Sequence, residues 1–249
     1  MIPWLDPEQI WFPHPSTALD EPPGLLAAGG DLSPERLLKA YSMGIFPWYE
    51  EQQPILWWSP DPRAVLFPAE FRLRRSLRKI LRNKPFTVSF DKNFAAVIHA
   101  CAQPRSYSEE TWITREMEAA YQALHVTGHA HSLEVWQEGS LVGGLYGVAL
   151  GKVFFGESMF STQRDASKIA LCALVHHLEQ NRFELLDCQM RSAHLEFMGS
   201  RAIAREEFLK LLERHVSAPP RDAKWREMDR DLRYLADWQP GTGGNPKLQ

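Results

Sequence analysis

The sequence predicts an α+β fold in three parts: a small irregular N-terminal domain over residues 1–62, a larger domain over 63–218 with a mixed sheet flanked by helices, and a C-terminal appendage over 219–249. Three observations predict it. The first 62 residues hold 11 of the 18 prolines and five of the nine tryptophans, which forbids long regular elements but is too apolar for a disordered arm. From residue 130 the pattern turns into strand, strand, strand, helix, strand, helix. At 249 residues and 44% hydrophobic content, the chain can bury a sizeable core.

Within the first part, one helix is expected: Ser33 as its N-cap, Pro34 as its first residue, then Glu35 to Met43, with Gly44 as the stop. In the stretch Phe71–Lys84, Leu73, Leu77, Ile80 and Leu81 recur at helical spacing, among seven basic residues and no acidic ones. A strand over Phe86–Phe90, a helix over Asp91–Cys101, a loop over Ser108–Thr114 and a helix over Arg115–Thr127 should follow. His131–Gln137, Leu141–Leu150 and Lys152–Phe160 read as strands, with a turn at Gly139-Ser140. A long helix over Asp165–Gln180 buries Ala170, Leu171, Leu174, Val175 and Leu178, and a buried strand over Glu184–Cys188 comes next. Helices over Ser192–Met198 and Arg205–His215 complete the order, and the tail after Ala218, charged and then rich in Gly and Pro, is expected to pack loosely. The same element order occurs in the acetyltransferase-like (GNAT-like) fold, where an acyl donor lies between two parallel strands that splay apart; fold alone does not give function.

The net charge of −3 averages over local faces and decides little about partners. No apolar stretch reaches the ~20 residues that would span a membrane. The opening Met-Ile-Pro-Trp-Leu-Asp has neither the basic start nor the apolar run of a secretory signal. The three cysteines, Cys101, Cys172 and Cys188, build no disulfide framework, so a reduced cytoplasmic setting is expected. His129-Ala130-His131 and His176-His177 lack metal-ligand spacing, and no metal site is expected.

Asp187 and Gln189 stand two apart at the polar end of an apolar strand, which aims both at one cleft. They could cap neighbouring backbone, or orient and deprotonate an attacking amine. Glu157 lies within Val153-Phe154-Phe155-Gly156-Glu157-Ser158-Met159-Phe160, where an unpaired charge is costly; it is either tied to a cation or hydroxyl, or chemically active. Cys188 should point away from Asp187 and Gln189 into the core, which disfavours a thiol enzyme drawing on His131 or His194. Trp48, Trp112 and Tyr121 could stack nucleobases or pack a domain interface. Arg75, Arg78, Lys79, Arg82 and Lys84 of the basic helix could meet phosphates while its leucines dock on the core. The turn Ser161-Thr162-Gln163-Arg164-Asp165-Ala166-Ser167-Lys168 has no glycine to bring backbone N–H groups onto a pyrophosphate, and Asp165 would repel one. That argues against acetyl-coenzyme A. An acetyl-coenzyme A enzyme and a non-enzymatic RNA adaptor nevertheless remain as alternatives to acyl transfer from RNA.

Several motifs together resemble the leucyl/phenylalanyl-tRNA–protein transferases: Gly29-Gly30-Asp31-Leu32-Ser33, Gly44-Ile45-Phe46-Pro47-Trp48, Trp57-Trp58-Ser59-Pro60-Asp61-Pro62-Arg63 and Thr111-Trp112-Ile113-Thr114. Gly128-His129-Ala130-His131-Ser132, Leu141-Val142-Gly143-Gly144-Leu145-Tyr146-Gly147, Gly156-Glu157-Ser158-Met159-Phe160-Ser161 and Asp187-Cys188-Gln189 continue the resemblance in order. It implies a cytoplasmic enzyme, monomeric, not membrane-bound and using no metal or organic cofactor. Its partners would be leucyl-tRNA, phenylalanyl-tRNA and proteins with N-terminal Arg or Lys, which it would mark for N-end rule degradation. On this reading Asp187, Gln189 and Glu157 are the catalytic group, and Glu157 reads the acceptor's cationic side chain. The aminoacyl-adenosine end of the tRNA would meet Trp48, Trp112 and Tyr121, and the aminoacyl side chain would enter a pocket of Leu145, Met159 and Leu186 beside Ser158. Arg75, Arg78, Lys79, Arg82 and Lys84 would bind the tRNA body. Nothing is carried to the tail.

Overall fold

Ser33 begins the first helix: its hydroxyl accepts from the Arg36 amide at 3.4 Å, and Pro34 occupies the first turn. The computed structural model describes residues 1–103, 113–217, 225 and 230–242. Strands β1 (Trp4–Leu5) and β2 (Leu25–Gly29) precede helix α1 (Pro34–Ser42), and β3 (Phe46–Pro47) and β4 (Leu56–Trp58) follow it. They form a four-stranded sheet in the order β1-β2-β4-β3. Trp57 is fully buried and its indole N–H donates to the Gly29 carbonyl at 2.9 Å. So small a unit cannot enclose a core of its own. Leu37, Tyr41 and Trp57 instead join one apolar cluster with Phe94, Tyr121, Tyr146 and Phe155.

The larger sheet is assembled from β5 (Arg63–Leu66) onward. Helix α2 (Arg75–Asn83), β6 (Phe86–Phe90), α3 (Phe94–Cys101) and α4 (Arg115–Val126) lead into the antiparallel run β7 (Ala130–Gln137), β8 (Ser140–Leu150) and β9 (Val153–Ser161). Helix α3 starts later than the spacing suggests because the Asn93 side chain caps the Ala96 amide at 3.1 Å. Helix α5 (Ala166–Gln180) then crosses over to β10 (Leu185–Gln189), followed by α6 (Ala193–Met198), β11 (Arg201–Ile203), α7 (Arg205–His215), β12 (Arg230–Asp231) and α8 (Arg233–Asp237). The eight strands lie in the order β11-β5-β10-β9-β8-β7-β6-β12. In this sheet, among the described residues, β9 and β10 are the parallel neighbours, which is why they need the α5 crossover.

This is the mixed, helix-flanked sheet that the element order predicts. One face is covered by α1, α3, α4 and α7, and the other by α2, α5 and α8, giving two apolar clusters on opposite sides. Pairing of β9 with β10 ends at Phe155 and Asp187, although both strands continue. Beyond that point they part, as in the acetyltransferase-like fold.

The tail corrects the expectation of loose packing. Strand β12 pairs with β6, and Trp225, Leu232, Leu235, Ala236 and Trp238 are buried against α2 and α5. Trp238 stacks on Phe71 with ring centres 5.5 Å apart and donates to Glu179 at 2.7 Å. No helix among the described residues is long and apolar enough to cross a membrane.

Candidate active site

Where β9 and β10 separate, a cavity of about 800 Å³ opens. It reaches both faces of the sheet because it passes through the gap between the strands. On the α5 side its wall is mainly apolar, with Leu145, Met159, Leu171, Leu174 and Leu186, and His194 of α6 stands among them. On the other side it is polar, formed by Glu157 and Gln189 beside Tyr146.

A bulge places Glu157 there. Tyr146 pairs with Ser158 while Gly147 pairs with Gly156, so Glu157 is the extra residue in β9. Phe155 packs on Tyr41, but Met159, four residues on, packs with the α5-side cluster. One inserted residue flips every later side chain to the other face. Only glycine fits opposite, since a Cβ at Gly147 would lie 2.2 Å from the Phe155 carbonyl oxygen.

The Glu157 carboxylate accepts from the Tyr121 hydroxyl at 2.9 Å and from the Gln189 side-chain amide at 2.9 Å. Tyr41 and Tyr121 share a hydrogen bond between their hydroxyls. Burial raises the Glu157 carboxyl from 4.5 to about 7; the Tyr41 and Tyr121 hydroxyls oppose the rise, the Asp187 charge adds to it, and Gln189 opposes it. Burial, and then the Glu157 charge, push both tyrosine hydroxyls well above their usual range.

Asp187 is fully buried and held by Arg63, whose Nε and Nη2 donate to its two oxygens at 2.8 and 2.7 Å. Its Oδ1 also accepts from the Gln189 backbone amide at 2.9 Å, in a turn where Gln189 adopts φ +59°. The Arg63 guanidinium sits between the Phe46 and Phe208 rings, at 4.9 and 4.6 Å. Four residues thus form one chain, Arg63–Asp187–Gln189–Glu157, in which Gln189 binds Asp187 through its backbone amide and Glu157 through its side chain.

The structure brings Glu157, Asp187, Gln189, Leu145, Ser158, Met159 and Leu186 to the cavity wall. Tyr121 needs a correction: it is fully buried, its ring edge-on to Tyr146, and it holds Glu157 instead of offering a face to a base. Trp48 is 44% exposed but does not line the cavity. Trp112 lies outside the described residues. Of the basic helix, Arg75, Lys79, Arg82 and Lys84 are exposed and Arg78 is half-buried. Arg78 donates to the Ala236 carbonyl at 2.5 Å and Arg82 pairs with Asp237 at 2.7 Å, so the tail engages both. Cys188 faces away from Asp187 and Gln189, and there it edges the cavity rather than sinking into the core. Burial and the Asp187 charge push its thiol far up, against a nucleophilic role. Asp165 stands at the N-cap position of α5 with φ +72°, and its side chain binds Lys168 at 2.8 Å instead of capping the helix, so a carboxylate stands where a phosphate loop would need N–H groups. Sequence reasoning missed Arg63 and Tyr41 as members of the site. A cation heading the apolar strand Arg63-Ala64-Val65-Leu66 was the available signal for the first.

The model of the leucyl/phenylalanyl-tRNA protein transferase family matches residues 65–213, and that of its N-terminal domain matches residues 30–61. A leucyl/phenylalanyl-tRNA–protein transferase of Pseudomonas syringae pv. syringae is 56% identical over 225 residues, 90% of this chain and 98% of its own. One from Stutzerimonas stutzeri is 57% identical over 226 residues, 91% of this chain and 100% of its own. Among solved structures, a ribosomal-protein-alanine N-acetyltransferase from Brucella melitensis biovar Abortus is 15% identical, covers 55% of this chain and 93% of its own, and has a TM-score of 0.33. That likeness carries no argument.

Proposed function

The chain belongs to the leucyl/phenylalanyl-tRNA–protein transferase family, and on that premise we propose how its cavity divides the work of the reaction. It is an aminoacyltransferase: Leu or Phe moves from tRNA to the N-terminal residue of a protein, which sets aside the acetyl-coenzyme A and adaptor readings. The acceptor's α-amine attacks the ester carbonyl carbon, a C–N bond forms, the ester C–O bond breaks, and the nitrogen's proton goes to the departing ribose oxygen. The ester is already activated, so positioning supplies most of the catalysis.

The observation that carries the proposal is the Arg63–Asp187–Gln189–Glu157 chain. Gln189 spends its side-chain N–H on Glu157, which leaves its carbonyl oxygen to accept from the attacking amine. Asp187 edges the cavity, but Arg63 and the Gln189 backbone amide already hold its oxygens, so it acts by positioning Gln189. An α-amine pKa near 7.7–8.0 makes a strong base unnecessary. Glu157 supplies the negative wall for an N-terminal Arg or Lys. Leu145, Met159, Leu171, Leu174 and Leu186 take the donor's side chain and exclude polar ones by desolvation cost. Trp48 and Trp112 serve the terminal adenosine, Ser158 lies at the ester, and the basic helix meets the tRNA body, with Arg75, Lys79 and Lys84 as exposed cations outside the tail's contacts. The chain works as a cytoplasmic monomer, and its products enter N-end rule degradation.

Peptides beginning with Arg or with its neutral isostere citrulline test the acceptor wall. For wild type, kcat/KM should favour Arg about 10- to 100-fold, the worth of a hydrogen-bonded charge. Glu157→Gln should erase that preference. A preference that survives the substitution would contradict the role given to Glu157.

A further inference from the structure

His194 lies on α6, in the cavity wall on the side of the sheet covered by α5. Its Nε2 is shielded from solvent and has no hydrogen-bond partner among the described residues. Enclosing a polar atom without a partner is unfavourable, and such an atom in a cavity wall is accounted for when the ligand brings the partner. We propose that His194 binds the donor, through the free hydroxyl next to the ester on the terminal ribose of the tRNA.

The surroundings select that group. Burial, and then the charge of Lys168, hold the imidazole below its usual 6.5, so it is neutral at pH 7. The acceptor's ammonium or guanidinium has the Glu157 wall on the opposite side of the gap. A neutral imidazole nitrogen either donates or accepts according to tautomer; a hydroxyl can satisfy either, whereas a carbonyl only accepts. The terminal ribose carries two hydroxyls, one esterified and one free. The Arg74 guanidinium lies 4.9 Å from the Phe197 ring, so α6 adjoins the start of the basic helix and the RNA leaving the cavity there meets cations at once.

This inference rests on the aminoacyl-transfer reading and can fail separately from it. Transfer to an Arg-peptide is measured with two donors: leucyl-tRNA, and leucyl-tRNA esterified at the 3′ oxygen with hydrogen in place of the terminal 2′-hydroxyl. With wild type, the deoxy donor should raise the donor KM about 10-fold. His194→Ala should raise the KM of the natural donor similarly, add nothing with the deoxy donor, and leave the peptide KM unchanged. His194→Gln, which keeps a donor and an acceptor, should stay within about threefold of wild type. An unchanged donor KM in His194→Ala, or losses that multiply with the deoxy donor, would overturn the inference while leaving the activity intact. No transfer from leucyl-tRNA by wild type would overturn the activity itself, and this inference with it.

Discussion

Glu157 and Asp187 are both carboxylates facing one cleft, yet their surroundings set them different tasks. Asp187 has a guanidinium on both oxygens and no exposure, and Glu157 has only neutral donors and a wall on the cavity. Because Glu157 titrates near 7 in the fold against 4.5 ordinarily, the folded protein holds a proton that the unfolded chain releases. Below pH 4.5 both states are protonated and the group costs nothing. Between 4.5 and 7 only the unfolded chain ionises, and above 7 the full cost of a buried charge, up to about 3 kcal/mol, is in place. Stability is therefore lost as pH rises through this window. Glu157→Gln removes the titration, so the variant should gain on wild type by up to that amount between pH 4.5 and 8, measured by urea unfolding. A difference between the two that is constant with pH would contradict the assignment. The sequence showed an acidic residue among aromatic neighbours and two polar residues ending a strand. It could not show Arg63, because the partner of Asp187 stands 124 residues away.

The elements explain what alternation alone misses. Period-two reading places Asp187 and Gln189 on one face and Cys188 on the other; β10 shifts register between Asp187 and Gln189, yet Gln189 still reaches Glu157 while Cys188 packs with the α5-side cluster. The same reading applied to β9 puts Glu157 and Met159 on one face, whereas the bulge sends them to opposite sides of the sheet. Nothing in the residue types around Gly156 announces an inserted residue; its trace is the glycine opposite, at position 147. Gly147→Ala should force the bulge open, because the added Cβ would lie 2.2 Å from a backbone oxygen that cannot swing away. The expected cost is about 1–3 kcal/mol of stability, with a larger fall in kcat than in donor affinity because Glu157 shifts while the apolar pocket stays. A variant with wild-type melting temperature and turnover would show that the bulge does not depend on that glycine.

Across the whole molecule, two apolar clusters lie on opposite faces of one sheet, and the cavity passes between them where β9 and β10 part. The N-terminal strands contribute to the first cluster and the tail to the second, so neither end is an ornament. The fold class was legible because long periodic segments dominate it. The packing of the tail was not: its charge and its Gly and Pro residues masked Trp225 and Trp238, whose stacking partners, His131 on β7 and Phe71 ahead of α2, are far away in sequence. The central claim is that this cavity joins an aminoacyl ester on RNA to a protein amine. Leucyl-tRNA labelled in the amino acid, incubated with the full chain and a peptide beginning with Arg, tests it most directly. Label should move to the peptide's N-terminus with one deacylated tRNA released per peptide modified. Ester that stays intact, or that is lost to water without labelling the peptide, would contradict the claim.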